Sequence, residues 1–557
     1  SVVDELGLDL HPRQIKEVWQ RKTPDEIKQR RARIKQCSTD AERLLAAVGD
    51  KHLRSKLPNS LLGVLEMDGK ELTGIEVAKA AIATYHTDAL KQYKEMLDNL
   101  NPPQQWAGSN RAVEFVRSLG FSTEWAGQRN RKPEPYLEVE GRYRLPDLHD
   151  YQKKIVENIQ DMFCDTSPVN PQRRGMISLP TGSGKTRVAV EAIVKAICKD
   201  KFQGGVLWVA DREELCEQAV DAWRRVWSSI GIYERHLRIS RMWGGQEKPS
   251  PTCELHTVIA TIQTLRTRLE NNQGSYDFLK DFRLIVFDEA HRSVAPTFTS
   301  VMEETGLTRR QGADEPFVIG LTATPYRGYN EQETRWLANR YGRNRLDAGA
   351  FGNDDAQHVV QQLQNEGVLA QVDHSVIEGE SFTIEESDRS RDLHWLPQSV
   401  EDRIAQSAKR TKRIIEAYRE HIDPEWSALI FATSVEHART VAALLDGQEI
   451  RSRAVSGDTE TAMRRRVVEE FRSGKIKALV NYGVFREGFD APRTRAIIVA
   501  RPVYSPNLYF QMIGRGLRGQ RNGGNKRCLI LNVQDNIENF DRSLAFSELD
   551  WLWSRTS

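Results

Sequence analysis

The stretch Met176-Ile177-Ser178-Leu179-Pro180-Thr181-Gly182-Ser183-Gly184-Lys185-Thr186 decides the fold. A short apolar run enters a glycine-rich loop, and an amphipathic segment leaves it from Lys185. That pattern predicts strand, loop and helix in succession. The glycines let the backbone of Thr181, Gly182, Ser183 and Gly184 curl so that its N–H groups point at phosphate oxygens. The start of the following helix adds a favourable dipole. Lys185 is expected to reach the β- and γ-phosphates of ATP, and Thr186 to hold Mg²⁺ through its hydroxyl.

Outward from this loop the pattern repeats. Apolar runs at 176–179, 205–210, 257–260, 284–287 and 318–321 alternate with amphipathic segments, which predicts a parallel sheet covered by helices. A second series follows at 428–431, 453–455, 478–480, 496–500 and 528–532. Residues 330–395 are polar and less regular. Upstream, residues 1–100 read as helices. Thr23-Pro24-Asp25-Glu26, Thr39 with Glu42, and Thr73 with Glu76 have capping-box spacing, and Gly49 reads as a stop. The helix from Thr73 is expected to run, through Ile75, Ile82, Ala89, Tyr93 and Met96, to Asn101-Pro102-Pro103. Asn110–Leu119 reads as one more helix. The expected division is a helical accessory domain at 1–120, a linker at 121–147, and α/β domains at 148–345 and 346–557.

The acidic pair Asp288-Glu289 closes the apolar run 284–287. Carboxylates at the carboxyl end of a strand stand where α/β sheets bind ligands. Asp288 is the expected metal partner, and Glu289 the group that orients or deprotonates water.

Composition narrows the class of protein. The 557 residues carry 80 Lys and Arg against 78 Asp and Glu, 39% hydrophobic and 28% charged residues. This suits a globular chain and argues against disorder. No run is long enough for a membrane span and no signal-peptide pattern opens the chain. Six scattered cysteines without a CxxC pair disfavour a disulfide framework or a zinc site, and fit a reducing cytoplasm. Because the chain opens on Ser1, flanking domains are expected outside it.

Asp288-Glu289-Ala290-His291, together with the phosphate loop, resembles the second and first motifs of the superfamily 2 helicases and translocases, over residues 148–520. Leu148-His149-Asp150-Tyr151-Gln152 resembles the adenine-reading motif, with Gln152 as base contact. Val209-Ala210-Asp211-Arg212 and Ala260-Thr261-Ile262-Gln263-Thr264 resemble motifs that touch the backbone of the tracked strand. Leu321-Thr322-Ala323-Thr324-Pro325 resembles the coupling motif; Thr322 and Thr324 also read as plain strand-end hydroxyls. Phe431-Ala432-Thr433-Ser434 and Val455-Ser456-Gly457 resemble further strand contacts. The segment 483–490 resembles motif V, with Gly488 and Asp490 at the nucleotide and Arg486 where the family often has Thr or Ser. Gln511-Met512-Ile513-Gly514-Arg515-Gly516-Leu517-Arg518 matches the sixth motif.

The resemblance implies two tandem RecA-like domains with an N-terminal helical domain, binding ATP and Mg²⁺ between them. It gives Gln511 a place at the catalytic site, makes Arg518 the arginine finger, and sets Arg515 beside it. Three apart on a helix, the two arginines are expected on one face. A guanidinium there stabilises charge developing on the γ-phosphate. The nucleic-acid contacts it implies are Arg212, Thr261, Gln263, Thr433, Ser434, Ser456 and Gly457. The preferred partner is DNA, single strand or duplex. A restriction or phage-defence role is implied, with a nuclease or other defence subunit as protein partner through the N-terminal helices. An RNA helicase, or a helicase-fold scaffold, is the competing reading. Residues 221–243 interleave Arg224, Arg225, Arg235, Arg238 and Arg241 with Trp223, Trp227, Tyr233 and Trp243. They read either as a nucleic-acid track or as tryptophans packing a helix whose arginines face water.

Overall fold

A computed structural model describes residues 25–127, 136–139, 144–165, 167, 171–232, 234–246, 248–249, 255–271, 276–307, 315–323, 331–353, 355–385, 396–484, 491, 493–538, 540 and 544–547. Two sheets organise the chain. The first comprises β1 (Tyr136–Val139), β2 (Arg174–Ser178), β3 (Val206–Ala210), β4 (Leu237–Met242), β5 (Leu255–Thr261), β6 (Leu284–Asp288) and β7 (Phe317–Thr322), in the order β1-β4-β5-β3-β6-β7-β2. All are parallel neighbours except β1, which runs antiparallel along the edge of β4. The second is a six-stranded sheet of β8 (Gln371–Thr383), β9 (Ser427–Phe431), β10 (Ser452–Ser456), β11 (Ala478–Tyr482), β12 (Thr494–Val499) and β13 (Arg527–Glu538). Two helix-covered, largely parallel sheets of this kind, with helices at 25–126, make the architecture a tandem RecA-like one.

By compactness the chain divides into residues 1–131, 382–424 and 432–482, and residues 132–381, 425–431 and 483–557. The first unit holds the N-terminal helices, the β10–β11 pair and the helices Ala408–His421, Val435–Asp446 and Thr461–Arg472. Thr39 and Thr73 each accept from the backbone of a Glu three residues on, and that Glu bonds back, so both capping boxes form. Gly49 ends its helix at φ 88°, a conformation that side chains resist. The Thr23 box lies outside the described residues, although the helix Asp25–Gln36 follows it. The helix from Gly74 stops at Tyr85, where His86 takes φ 49°; short helices follow at His86–Asp88, Ala89–Gln92 and Lys94–Leu100, and the last ends at Asn101 as expected. Val77, Ala78 and Ala81 form its buried face, while Ile75 is exposed.

These helices pack onto those beside β10 and β11. The Ser60 hydroxyl is 2.8 Å from that of Thr440 in a buried contact, Arg439 lies over the Tyr85 ring, and Lys91 pairs with Glu460.

The second unit holds the whole first sheet, together with β8, β9, β12 and β13. Its core includes Leu207, Val209, Val258, Ile285, Phe287 and Phe298. β5 and β6 are buried at every position, as strands covered on both faces must be. Residues 136–139, within the expected linker, form the edge strand β1. The polar stretch 330–395 contains the thirteen-residue β8. Trp223, Trp227 and Trp243 are buried, Arg241 pairs with Glu217, and Arg224 pairs with Asp221. The tryptophans therefore follow the packing reading, but the arginines do not all face water: Arg241 is buried on the strand β4, which replaces helix at 237–242. Tyr233 lies outside the described residues.

Candidate active site and nucleic-acid contacts

Parallel pairing puts the working ends of three strands side by side. Ser178 on β2 is opposite Thr322 on β7, and Leu321 on β7 is opposite Asp288 on β6. The phosphate loop, Thr322 and the acidic pair therefore share one edge of the first sheet. Leu179 N–H donates to Thr322 O at 3.1 Å, extending the β2–β7 ladder into the loop.

The loop is held by its own groups and by its neighbours. Gly182 and Gly184 have φ of 90° and 88°. A Cβ on Gly184 would come within 2.9 Å of Gln152 Nε2, so only glycine fits without a shift. Ser183 N–H and Ser183 Oγ both donate to Pro180 O, at 3.2 and 2.6 Å, and Lys185 Nζ donates to Leu179 O at 3.0 Å. The Ser183 carbonyl accepts from Tyr151 OH at 2.6 Å and from Gln152 Nε2 at 3.0 Å. Gln152 Oε1 accepts from His149 N–H at 3.0 Å. Gln152 is buried, so its amide braces the loop. Lys185 opens the helix Lys185–Cys198, and Thr186 stands in its first turn, partly exposed.

Asp288 and Glu289 are both buried. Glu289 is left-handed at φ 51°, and its N–H donates to Asp288 Oδ1 at 3.0 Å. The Glu289 Oε2 atom is buried and makes no hydrogen bond. His291 Nδ1 is 3.4 Å from that oxygen and 3.2 Å from Thr322 Oγ1. Burial pushes the Lys185 pKa down, Glu289 and then Asp288 pull it back up, and Arg515 adds to the depression. A lysine, two carboxylates and an arginine thus share one electrostatic neighbourhood. Phosphate and a divalent cation fit it: a buried carboxylate oxygen stands unbonded, and Asp288 and Thr186 supply hard oxygen donors.

The sixth motif reaches this neighbourhood from the helix Pro506–Ile513, capped by Ser505 and holding the buried Gln511. The helix ends at Ile513, so Arg515 and Arg518 do not share a helical face. Gly514, Gly516 and Gly519 interrupt the run, and glycine is a poor helix former. Arg515 lies in the turn after the helix, and Arg518 forms an antiparallel bridge with Leu369. A Cβ on Gly514 would be 2.5 Å from Thr181 Cβ, and one on Gly516 2.4 Å from Cys528 Sγ. The backbone of Arg518 lies against Gly182. Asn522, which sequence reasoning missed, touches the loop too: its Nδ2 donates to Gly182 O at 3.1 Å. An isolated asparagine in a polar loop carries no signal that marks it out.

The remaining predicted residues spread over both units. Arg212 donates to the carbonyls of Gly483 and Val484 at 3.3 and 3.4 Å, which ties the two motifs together. Asp211 beside it pairs with Arg292. Thr261 is buried and bonds Thr264, while Gln263 is exposed. In the first unit, Thr433 is buried, Ser434 caps its helix through His437 N–H, Ser456 N–H donates to Thr459 Oγ1, and Gly457 is exposed. Arg464 binds the carbonyls of Ser456, Gly457 and Thr459, which sets the shape of that loop. Thr324, Arg486, Gly488 and Asp490 lie outside the described residues.

Comparison with known proteins agrees with this layout. The profile of the type III restriction enzyme res subunit matches residues 145–327, and that of the helicase conserved C-terminal domain matches 409–520. The chain belongs to the superfamily 2 helicases, with a restriction-type first motor domain. A candidate ATP-dependent helicase of Saccharomyces cerevisiae, IRC3, is 25% identical over 68% of this chain and 50% of its own length. A candidate mitochondrial ATP-dependent helicase of Schizosaccharomyces pombe, irc3, is 29% identical over 70% and 58%. A candidate DNA 3'-5' helicase of Haloarcula marismortui, Rad25, is 26% identical over 85% and 65%. The chain thus spans less than two thirds of the length of these relatives.

Proposed function

We propose that this chain is an ATP-hydrolysing motor that moves along nucleic acid, with DNA as its substrate. One observation carries the proposal: the phosphate loop with Lys185 and the buried Asp288-Glu289 pair share one edge of the first sheet, and the segment that bears Arg515 and Arg518 packs its backbone on that loop. Those are the groups phosphoryl transfer needs, namely a phosphate anchor, a metal ligand, a water-orienting base and a cation for the developing charge.

In this reading Lys185 and the loop amides bind the β- and γ-phosphates. Thr186 and Asp288 would hold Mg²⁺, which would supply charge neutralisation on the phosphates when bound. Glu289 accepts the proton of the attacking water, and His291 stands beside its carboxylate. Arg518 and Arg515 stabilise charge on the transferred group, and Gln511 belongs to the same catalytic motif. Gln152 reads the adenine in addition to bracing the loop. Thr322 stands between the acidic pair and the phosphate loop, and with Thr324 couples hydrolysis to movement. Arg212, Thr261, Gln263, Thr433, Ser434, Ser456 and Gly457 contact the strand backbone without reading sequence. Residues 1–120 serve as an accessory domain for a protein partner, and residues 148–345 and 346–557 as the two motor domains.

The restriction-type match over 145–327 and the DNA helicase named among the relatives support DNA over RNA. They also support a place among restriction or defence motors. The test is ATP turnover in Mg²⁺ with duplex DNA, single-stranded DNA or RNA. Stimulation by DNA is expected. Stimulation by RNA alone would move the substrate to RNA, and no stimulation by any of the three would favour the scaffold reading.

A further inference from the structure

The phosphate loop uses its own ligand-binding groups on itself. Ser183 N–H and Oγ are turned onto Pro180 O, and Lys185 Nζ onto Leu179 O. In a planar trans peptide the C=O and the following N–H point in opposite directions. Turning Ser183 N–H outward to a phosphate therefore swings the Gly182 carbonyl the other way.

That carbonyl is held. Asn522 Nδ2 donates to Gly182 O at 3.1 Å and has a longer approach, 3.5 Å, to Val368 O. Its Oδ1 lies 3.1 Å from His149 Nε2, which donates to it in the neutral tautomer protonated at Nε2. His149 is buried, stacks on Tyr151, and starts the helix whose Tyr151 and Gln152 hold Ser183 O. Asn522 is itself fixed by the chain around it: Gly519 N–H donates to Val368 O, Arg521 N–H to Gly367 O, and Asn525 N–H to Arg518 O. The same short loop therefore carries both Arg518 and the amide that grips Gly182.

We propose that Asn522, oriented by His149, is a latch on the resting phosphate loop, and that a nucleoside triphosphate must break its bond to Gly182 to enter. Resting on the nucleotide-site reading above, this makes nucleotide entry release the 518–525 loop, so that the arginine-bearing segment senses occupancy through one peptide. By linkage, a contact made only in the nucleotide-free state weakens nucleotide binding, and its removal strengthens it.

The experiment is titration of full-length protein with fluorescent ADP and ATP analogues in Mg²⁺, for wild type, Asn522→Ala, Asn522→Asp, His149→Ala and Lys185→Ala, with thermal melts alongside. Asn522→Ala is expected to bind about 3- to 10-fold tighter, the worth of one or two neutral hydrogen bonds. Asn522→Asp cannot donate to Gly182 and should shift the same way. His149→Ala should give a smaller gain. A gain of affinity separates the latch from a merely structural role, whose loss would weaken binding. Unchanged or weaker binding by both Asn522 variants, with Lys185→Ala binding abolished, would overturn the latch and leave the nucleotide site standing. Unimpaired binding by Lys185→Ala would remove the site reading and the latch with it.

Discussion

Glu289 Oε2 and His291 Nδ1 lie 3.4 Å apart, with the His291 nitrogen also 3.2 Å from Thr322 Oγ1. The tetrad is thus linked to the strand end beside the phosphate loop. The carboxylate that stands ready for water lies beside a histidine two residues on, without a hydrogen bond to it, and that histidine bonds Thr322 of β7. Glu289 takes left-handed backbone at φ 51° directly after the end of β6.

Glu289→Gln keeps the size of the side chain and removes its basicity. Turnover should fall by about 10²- to 10⁴-fold, the usual contribution of a positioned base. Nucleotide affinity should stay near wild type. Steady-state hydrolysis and analogue binding check this together, and normal turnover would remove the assigned base.

Arg518→Ala should lower turnover by about 10³-fold or more, within the range of arginine fingers, while sparing affinity. Arg515→Ala should also raise the Lys185 pKa, because it removes a cation that depresses it. Single-turnover rates with bound nucleotide read the first effect. If Arg518→Ala hydrolyses at the wild-type rate, the finger is elsewhere.

Gly514→Ala places a methyl group 2.5 Å from Thr181 Cβ, far inside contact distance. Either the sixth motif or the phosphate loop must move. ATP turnover is expected to drop at least about tenfold, given how steeply phosphoryl transfer depends on placement. The overlap, which also meets the Phe510 carbonyl at 2.8 Å, should lower the melting temperature as overpacking does, and an active Gly514→Ala would show that this approach is not needed.

Acid should destabilise the fold through its buried histidines. Burial, with Arg453 and Arg410 adding to it respectively, pushes His86 and His437 down to about 3. Burial and then Arg238 push His256 down to about 4. The ordinary value is about 6.5, so below it the unfolded chain takes protons the folded chain refuses. Stability is therefore full above pH 6.5 and is lost as pH falls toward 4. The slope is about 1.4 kcal/mol per pH unit for each histidine. Melts from pH 7.5 to 4.5 should fall continuously, and His437→Gln should flatten the slope. A constant melting temperature would contradict the assignment.

Most strands were legible because both faces are covered. β3 and β6 are apolar at nearly every position, β5 carries the apolar run Val258-Ile259-Ala260 between polar residues, and β9 is apolar after its first residue. β8 escaped because its burial alternates weakly along an exposed strand, β4 because Arg238, Ser240 and Arg241 break its apolar run, and β1 because four residues at a sheet edge carry little apolar signal. The Thr39 and Thr73 boxes were readable since a cap is a contact between neighbours in sequence. The break at His86 was not, because a left-handed histidine has no local signature.

Local chemistry and spacing alone determined the phosphate loop, the acidic pair and the glycine-rich sixth motif, since each depends on residues within a few positions of one another. Only the tertiary structure decided that Gly514 and the Arg518 backbone pack on the phosphate loop, that Gln152 and Tyr151 brace Ser183, and that Asn522 grips Gly182 across 340 residues. Such contacts depend on strand order and on close approach of glycine backbones. Neither is encoded in any window of sequence; both arise when the sheets set which ends meet.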